Sequence, residues 1–292
     1  MTTFGLALPT MRAGATRETI AAAADVAARL GWATVWATDH VLVPRSAAPA
    51  YGRIFEAIAT LAWVAGGHPR LGLGTSVIVV PQRNAVILAK ELATLDALSD
   101  GRLIVGVGVG WNRGEFDNVG AGDMFHRRGA YLDETIRLWR HLWSGSSAPF
   151  EGAFHRLRDF AFEPLPARGA AVPIVVGGRA EAALRRAGST GDGYQSTSTA
   201  PEEYATRIPV IAEAASAAGR PTPILSARVN VRENSDDPSV LCGDPDRMLA
   251  TVQAFARLGV EHLVVGFDAR EPDAFLAAVE RFDREVVRRV PA

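Results

Sequence analysis

The sequence predicts an α/β fold of the (β/α)8 TIM-barrel class, and three observations carry that expectation. Short runs rich in Val, Ile and Leu alternate eight times with longer, Ala-rich stretches of helical spacing. The third and fourth runs are almost continuously apolar with Gly interruptions, the pattern of parallel strands covered on both faces. The 292 residues give roughly 36 per unit, close to what a strand, its loops and a helix require in such a barrel. An open doubly wound sheet is the rival, but no single Gly-rich first crossover marks it. A closed barrel also leaves no strand edge exposed.

The first strand is FGLALP, Phe4 to Pro9. The helix after it starts near Thr16, sets Ile20, Ala24, Ala27 and Leu30 on one face, and stops at Gly31. ATVWATDH is the second strand, and a loop with two prolines leads to a helix from about Ile54 to Ala65. The third strand, Leu71 to Val80, precedes a helix over Ala85 to Leu98. The fourth, Arg102 to Gly110, is followed by WNRGEFDNVGAGDMFHRRG and a helix over Ala130 to Trp143. Residues 144–172 contain Pro149, Pro164 and Pro166 and read as an insertion with short strands or a lid. PIVVGG and AEAALRRAG form the fifth unit; DGYQS and a helix opening at Pro201 form the sixth. ILSARVNV is the seventh strand, its helix starting after Gly243-Asp244-Pro245; HLVVGF is the eighth, with a last helix over about Pro272 to Val287. No charge run, low-complexity tract or composition shift marks a boundary, so residues 1–292 are expected to form one domain.

Composition narrows the function classes. The 31 Lys+Arg against 32 Asp+Glu leave a formal charge of -1, without the basic surplus of a nucleic-acid or polybasic membrane binder. Cys242 is the only cysteine, which excludes an intrachain disulfide and makes a reducing cytoplasm the default. The amino terminus lacks a signal-peptide pattern, and the longest apolar stretch, Ala57 to Gly67, is too short to span a bilayer. Six histidines include no HxxxH pair, so no zinc site is expected, and neither a GxSxG elbow nor a Walker loop is present.

In a barrel of this kind the chemistry sits at the carboxyl ends of the strands. Asp39 and His40 follow the second strand. A histidine there suits proton transfer near neutral pH, although it could instead serve only to hydrogen-bond a loop. GVGVG, Gly106 to Gly110, fails the dinucleotide fingerprint because Trp111 stands where the third Gly belongs. Its glycines leave room either for a flat ring or for a bulky neighbouring side chain. Gly177-Gly178-Arg179 before a helix is a phosphate-site candidate, since backbone N–H groups and the positive dipole end point at a ligand there; Arg185 and Arg186 lie on the same helix. The seventh strand carries Arg228 and Asn230. Together these features suggest an organic cofactor with a phosphate tail.

WATDHVLVP (Trp36–Pro44), the block Leu71–Phe116, His126–Trp143 and Pro173–Gln195 resemble the luciferase-like monooxygenase superfamily, within it the F420-dependent oxidoreductases. The resemblance implies a barrel that holds a deazaflavin, coenzyme F420, or less often FMN. It places Asp39 and His40 beside the ring, with His40 as proton donor. It puts a non-prolyl cis peptide at Ser76-Val77, next to Thr75, behind the ring. Gly108, Val109 and Gly110 would line the path to the phosphate, and Gly177, Gly178, Arg179 and Ala180 would bind it. Similar proteins are often homodimers.

This chain departs from that pattern in three places. Sugar-phosphate dehydrogenases of the superfamily carry a Glu base where Trp111 stands, which argues against the same substrate. GDGY replaces GDGW at Tyr194, and the Pro44–Ile54 loop is short, so an open mouth is expected. Trp36, Trp111 and Tyr194 suggest an apolar or ring-containing small-molecule substrate. The readings in order are an F420-dependent hydride-transfer enzyme, an FMN-dependent monooxygenase, and a cofactor-binding protein without turnover.

Overall fold

All eight expected strands form, and they close on themselves. The computed structural model describes residues 2–12, 14–268 and 271–290. The barrel strands are β1 (Thr3–Ala7), β2 (Thr34–Ala37), β3 (Gly72–Thr75), β4 (Leu103–Gly108), β5 (Ile174–Gly177), β6 (Gly193–Thr197), β7 (Ile224–Val231) and β8 (Val260–Phe267). Each pairs in parallel with the next, β8 returns to β1 through Phe4 opposite Leu263, and β6 meets β7 through Ser196 opposite Ala227. The chain is therefore a (β/α)8 barrel with no free edge among its eight strands.

The main helices are α1 (Arg17–Leu30), α2 (Ala57–Gly67), α3 (Ala85–Leu98), α4 (Arg128–Trp143), α5 (Glu181–Thr190), α6 (Pro201–Ala217), α7 (Pro245–Arg257) and α8 (Pro272–Glu285). Their starts are set by local chemistry. Thr16 accepts a hydrogen bond from the Thr19 N–H and caps α1, Asn84 caps α3, and Asp244 caps α7 with Pro245 in its first turn. The stripe Ile20, Ala24, Ala27 of α1 is buried as its periodicity requires. Two tryptophans one turn apart on α4 lock it to α3: the stacked Trp139 and Trp143 rings donate to the Ala85 and Ala89 carbonyls at 2.9 and 3.2 Å. Among the described residues no helix is long and apolar enough to cross a membrane.

Two segments differ from a simple strand–helix reading. The third strand breaks after Thr75. The Ser76–Val77 peptide is cis, and Ile78–Val79 then pairs with β4 at Val107 and Gly108. Residues 144–172 contain a small antiparallel hairpin, Phe150–Glu151 with Arg156–Leu157. It is pinned to the flank of α4. The buried Glu134 carboxylate accepts the N–H groups of Ala153, Phe154 and His155 at 2.6, 2.9 and 2.8 Å. Those bonds hold the Glu134 carboxyl below its ordinary range although burial alone would push it up.

Candidate active site

The loops after β2, β3 and β4 converge on one side of the barrel mouth. His40 is 8% exposed, with Nδ1 2.9 Å from Oε2 of Glu115. The other Glu115 oxygen accepts the Val41 N–H at 2.7 Å. Glu115 comes from a short helix, Arg113–Asn118, whose N-cap Asn112 accepts the Glu115 N–H. Burial pushes the Glu115 carboxyl up, but the bonds from His40 and Val41 outweigh it and hold the group below the ordinary carboxylate range. An ionised Glu115 makes Nδ1 the donor and leaves the remaining ring nitrogen, Nε2, to do chemistry. The ring packs against Tyr51 at 4.4 Å between centroids and meets the edge of Trp111. Sequence reading singled out His40 and passed over Glu115. The Asn112-x-x-Glu115 capping spacing was the available signal.

Asp39, the neighbour of His40, turns the other way. Its oxygens accept the Val79 N–H at 2.9 Å and Arg83 Nη2 at 2.6 Å. Arg83 also binds Glu56, which caps α2. Asp39 thus fastens the segment after the bulge to α2, a positioning role.

The glycines of β4 have a local explanation. A Cβ on Gly106 would lie 1.8 Å from the Thr75 carbonyl oxygen, and one on Gly108 or Gly177 would lie 2.6 or 2.8 Å from a Val77 methyl. The neighbouring side chain, Val77, fills that space. Thr75, fully buried, donates to the Gly106 carbonyl at 2.8 Å and ties β3 to β4. Gly110 adjoins Val79 and Phe116, while Val109 is part-buried against the core.

Ser76 is the polar centre of the mouth. Its hydroxyl donates to Gln195 Oε1 at 2.5 Å, and its hydroxyl and carbonyl both accept from Arg228. Gln195 Nε2 is buried without a partner among the described residues. On the adjoining side, α5 is preceded by its N-cap residue Ala180, which offers no side-chain cap, after exposed Arg179. Gly178 has φ +140°, a conformation that a side chain rarely adopts, and its missing Cβ would meet that of Ala183 at 2.7 Å.

Some expected site features lie elsewhere. Arg186 is buried against Asp133 and the Gly129 carbonyl and serves helix packing, while the exposed Arg185 pairs with Glu181 in the first turn of α5, so its charge is engaged there. Trp36 is 2% exposed with its indole against Gly74 and Thr34, and Tyr194 is buried, donating to the Gly178 carbonyl. Of the three expected mouth aromatics only Trp111, 61% exposed, lies open. Among the described residues no cluster of three or more His, Cys, Asp or Glu could hold a metal.

The sequence model of the luciferase-like monooxygenases matches residues 1–238. An F420-dependent glucose-6-phosphate dehydrogenase of Mycolicibacterium smegmatis is 34% identical over 209 residues, covering 69% of this chain and 60% of that one. One from Kineococcus radiotolerans is 31% identical over 236 residues, covering 79% and 66%. The chain thus spans somewhat less than two thirds of the length of these relatives. Among solved structures, the fold is shared with a monooxygenase of Streptomyces bottropensis (TM-score 0.83, 22% identity, 99% and 100% covered). It is also shared with the F420-dependent tetrahydromethanopterin reductase of Methanopyrus kandleri (0.80, 18%, 99% of both chains). The match over most of its length, on a barrel whose strand ends carry His40 and the Ser76–Val77 bulge, shows that the chain belongs to the luciferase-like monooxygenase family.

Proposed function

We propose that the protein is an oxidoreductase that transfers hydride between coenzyme F420 and a small organic substrate, with His40 as proton donor. The observation that carries this reading is the buried His40–Glu115 pair beside the Ser76–Val77 bulge. Moving a hydride to or from a carbon–oxygen bond also requires moving a proton, and a histidine whose tautomer is fixed by a carboxylate is suited to that. The F420 dependence of the curated relatives supports the same cofactor here.

The residues fit such a group. The unpartnered Gln195 Nε2 offers a buried donor to a ring carbonyl next to Ser76. The uncapped first turn of α5, reached past Gly177, Gly178, Arg179 and Ala180, offers backbone N–H groups to a phosphate. When bound, a deazaflavin supplies a ring carbon that accepts or returns hydride. Ser76 and Gln195 would fix one edge of that ring, and Val77 would back it. His40 Nε2 would hold the proton while Glu115 and Tyr51 keep the imidazole in place. A homodimer would cover the exposed Trp63 of α2 and Ile87 of α3.

Fluorescence titration with F420 and FMN separately tests the cofactor; tight FMN binding without F420 binding would favour the oxygenase reading. His40→Ala tests the role: hydride transfer should slow by about 10²–10⁴-fold with cofactor affinity little changed. Normal turnover with collapsed affinity would make His40 an anchor.

A further inference from the structure

Across the mouth from the bulge, the ends of β1, β7 and β8 enclose a cavity of about 120 Å³. Leu8, Met11 and Phe267 give it apolar walls, and Arg228 and Asn230 enter it from β7. Arg228 reaches across the barrel. Its Nη1 donates to Thr38 Oγ1 at 2.8 Å and to the Ser76 carbonyl and hydroxyl at 3.0 and 3.2 Å. All three partners are neutral. Among the described residues no carboxylate pairs with Arg228, and Nε and Nη2 have no hydrogen-bond partner. The other arginines of this wall differ: Arg12 and Arg232 share Asp268 at 2.7 and 3.4 Å.

The guanidinium is part-buried with its free edge open to the cavity, and desolvation brings its pKa down to about 10. Charged side chains in such places are normally paired or bound to a ligand. The pair Nε and Nη2 is the edge of a guanidinium that grips two oxygens of one planar anion. One buried positive charge is neutralised by one negative charge, and the volume admits only a few heavy atoms beyond the anion.

We propose that Arg228 binds the carboxylate of the substrate, and that the substrate is a small organic acid whose apolar body lies on Leu8, Met11 and Phe267. This deepens the oxidoreductase reading and rests on it for the word substrate, but the anion site stands on its own geometry. A phosphate ester is the competing anion. Its dianion would need a second cation beside Arg228, and the nearest, Arg12 and Arg232, stand at the exposed rim sharing the one carboxylate of Asp268, so the phosphate arm of the titration decides between the two anions.

The test is calorimetric titration of the protein, with and without bound F420, using butyrate, butyramide and inorganic phosphate. Butyrate should bind at least about tenfold more tightly than the other two. Arg228→Gln, shown to be folded by circular dichroism, should lose at least about tenfold in butyrate affinity. If that variant fails to fold, Arg228→Lys serves, since it keeps the charge and loses the fork; it should still weaken butyrate severalfold. Equal binding of butyrate and butyramide, no binding of butyrate to the native protein, or unchanged affinity in either folded variant overturns the proposal. Phosphate binding more tightly than butyrate overturns it in favour of a phosphate ester. Failure of the F420 reading would show separately, as a flat F420 titration with the butyrate isotherm intact.

Discussion

Glu115→Gln changes one atom type at the end of a buried side chain, and the structure gives its consequence a direction. One Glu115 oxygen accepts the Val41 N–H at 2.7 Å, and the other meets His40 Nδ1 at 2.9 Å. A glutamine offers one acceptor and one donor. If its oxygen stays on Val41, which can only donate, its NH2 faces His40, and Nδ1 must become the acceptor. The ring proton then moves to Nε2, and a doubly protonated ring has no acceptor at Nδ1. The flipped amide leaves two donors facing each other at Val41, at a cost of about 1–3 kcal/mol for a buried unmet group. The wrong arrangement is therefore favoured by roughly 5- to 150-fold, and proton delivery should slow by about one to two orders of magnitude. Single-turnover loss of deazaflavin fluorescence with any accepted substrate, beside an F420 binding titration, reads this. A Glu115→Gln rate within threefold of the native enzyme would refute the claim that Glu115 sets the state of His40.

Three other outcomes follow from positions already described. Ala180→Asp should stabilise the fold by up to about 1 kcal/mol as a new N-cap of α5, yet weaken F420 binding at least tenfold by placing a carboxylate where a phosphate would sit; a stabilised variant with native affinity would remove α5 from the cofactor site. Gly106→Ala should cost about 3 kcal/mol in urea denaturation, because its Cβ would fall 1.8 Å from the Thr75 oxygen, and a cost under 1 kcal/mol would mean β3 and β4 part easily. His262, beneath the mouth between Thr3 and Thr34, has its pKa pushed down to about 4 by burial. The unfolded chain takes up that proton first, so stability is full above about pH 6.5 and falls towards pH 4 by at most about 3 kcal/mol. His262→Gln should flatten that part of the stability curve, and an unchanged slope would refute the assignment.

The eight strands were legible because double-sided burial writes itself as apolar runs, and helix starts such as those at Thr16 and Asp244 stood at the expected places. The same double-sided burial hides which way a strand residue points. Trp36 and Tyr194 sit in runs where inward and outward residues are equally apolar, so their burial could not be read from alternation. His40 was visible as a polar residue ending an apolar strand. Glu115 lies 75 residues further along, and only the fold of the β4 loop brings it to His40. Local spacing also misled at Arg186: the helix carries it, but Asp133 on α4 holds it away from the amino terminus, while Arg185 is engaged by Glu181 in the first turn. The glycines of GVGVG left two occupants open, and Val77 lies directly beside Gly108.

Val77 and the glycines around it also govern how the mouth can be altered. Its methyls would lie 2.6 Å from a Cβ on Gly108, 2.8 Å from one on Gly177 and 3.2 Å from one on Gly106. Those positions lie on two neighbouring strands, β4 and β5, yet Val77 reaches all three. Enlarging Gly108 or Gly177 is harmful while Val77 stands, and trimming Val77 alone leaves a void. A paired exchange, Val77→Ala with Gly108→Ala, removes two methyls at one position and adds one at the other, and should couple by about 0.5–3 kcal/mol relative to the single changes. Variation at Val77, Gly108 and Gly177 is therefore epistatic, whereas Gly106 is closed by the Thr75 carbonyl oxygen whatever stands at position 77: the mouth of this barrel is remodelled by compensated pairs, and libraries that sample one position at a time will pass over its tolerated forms.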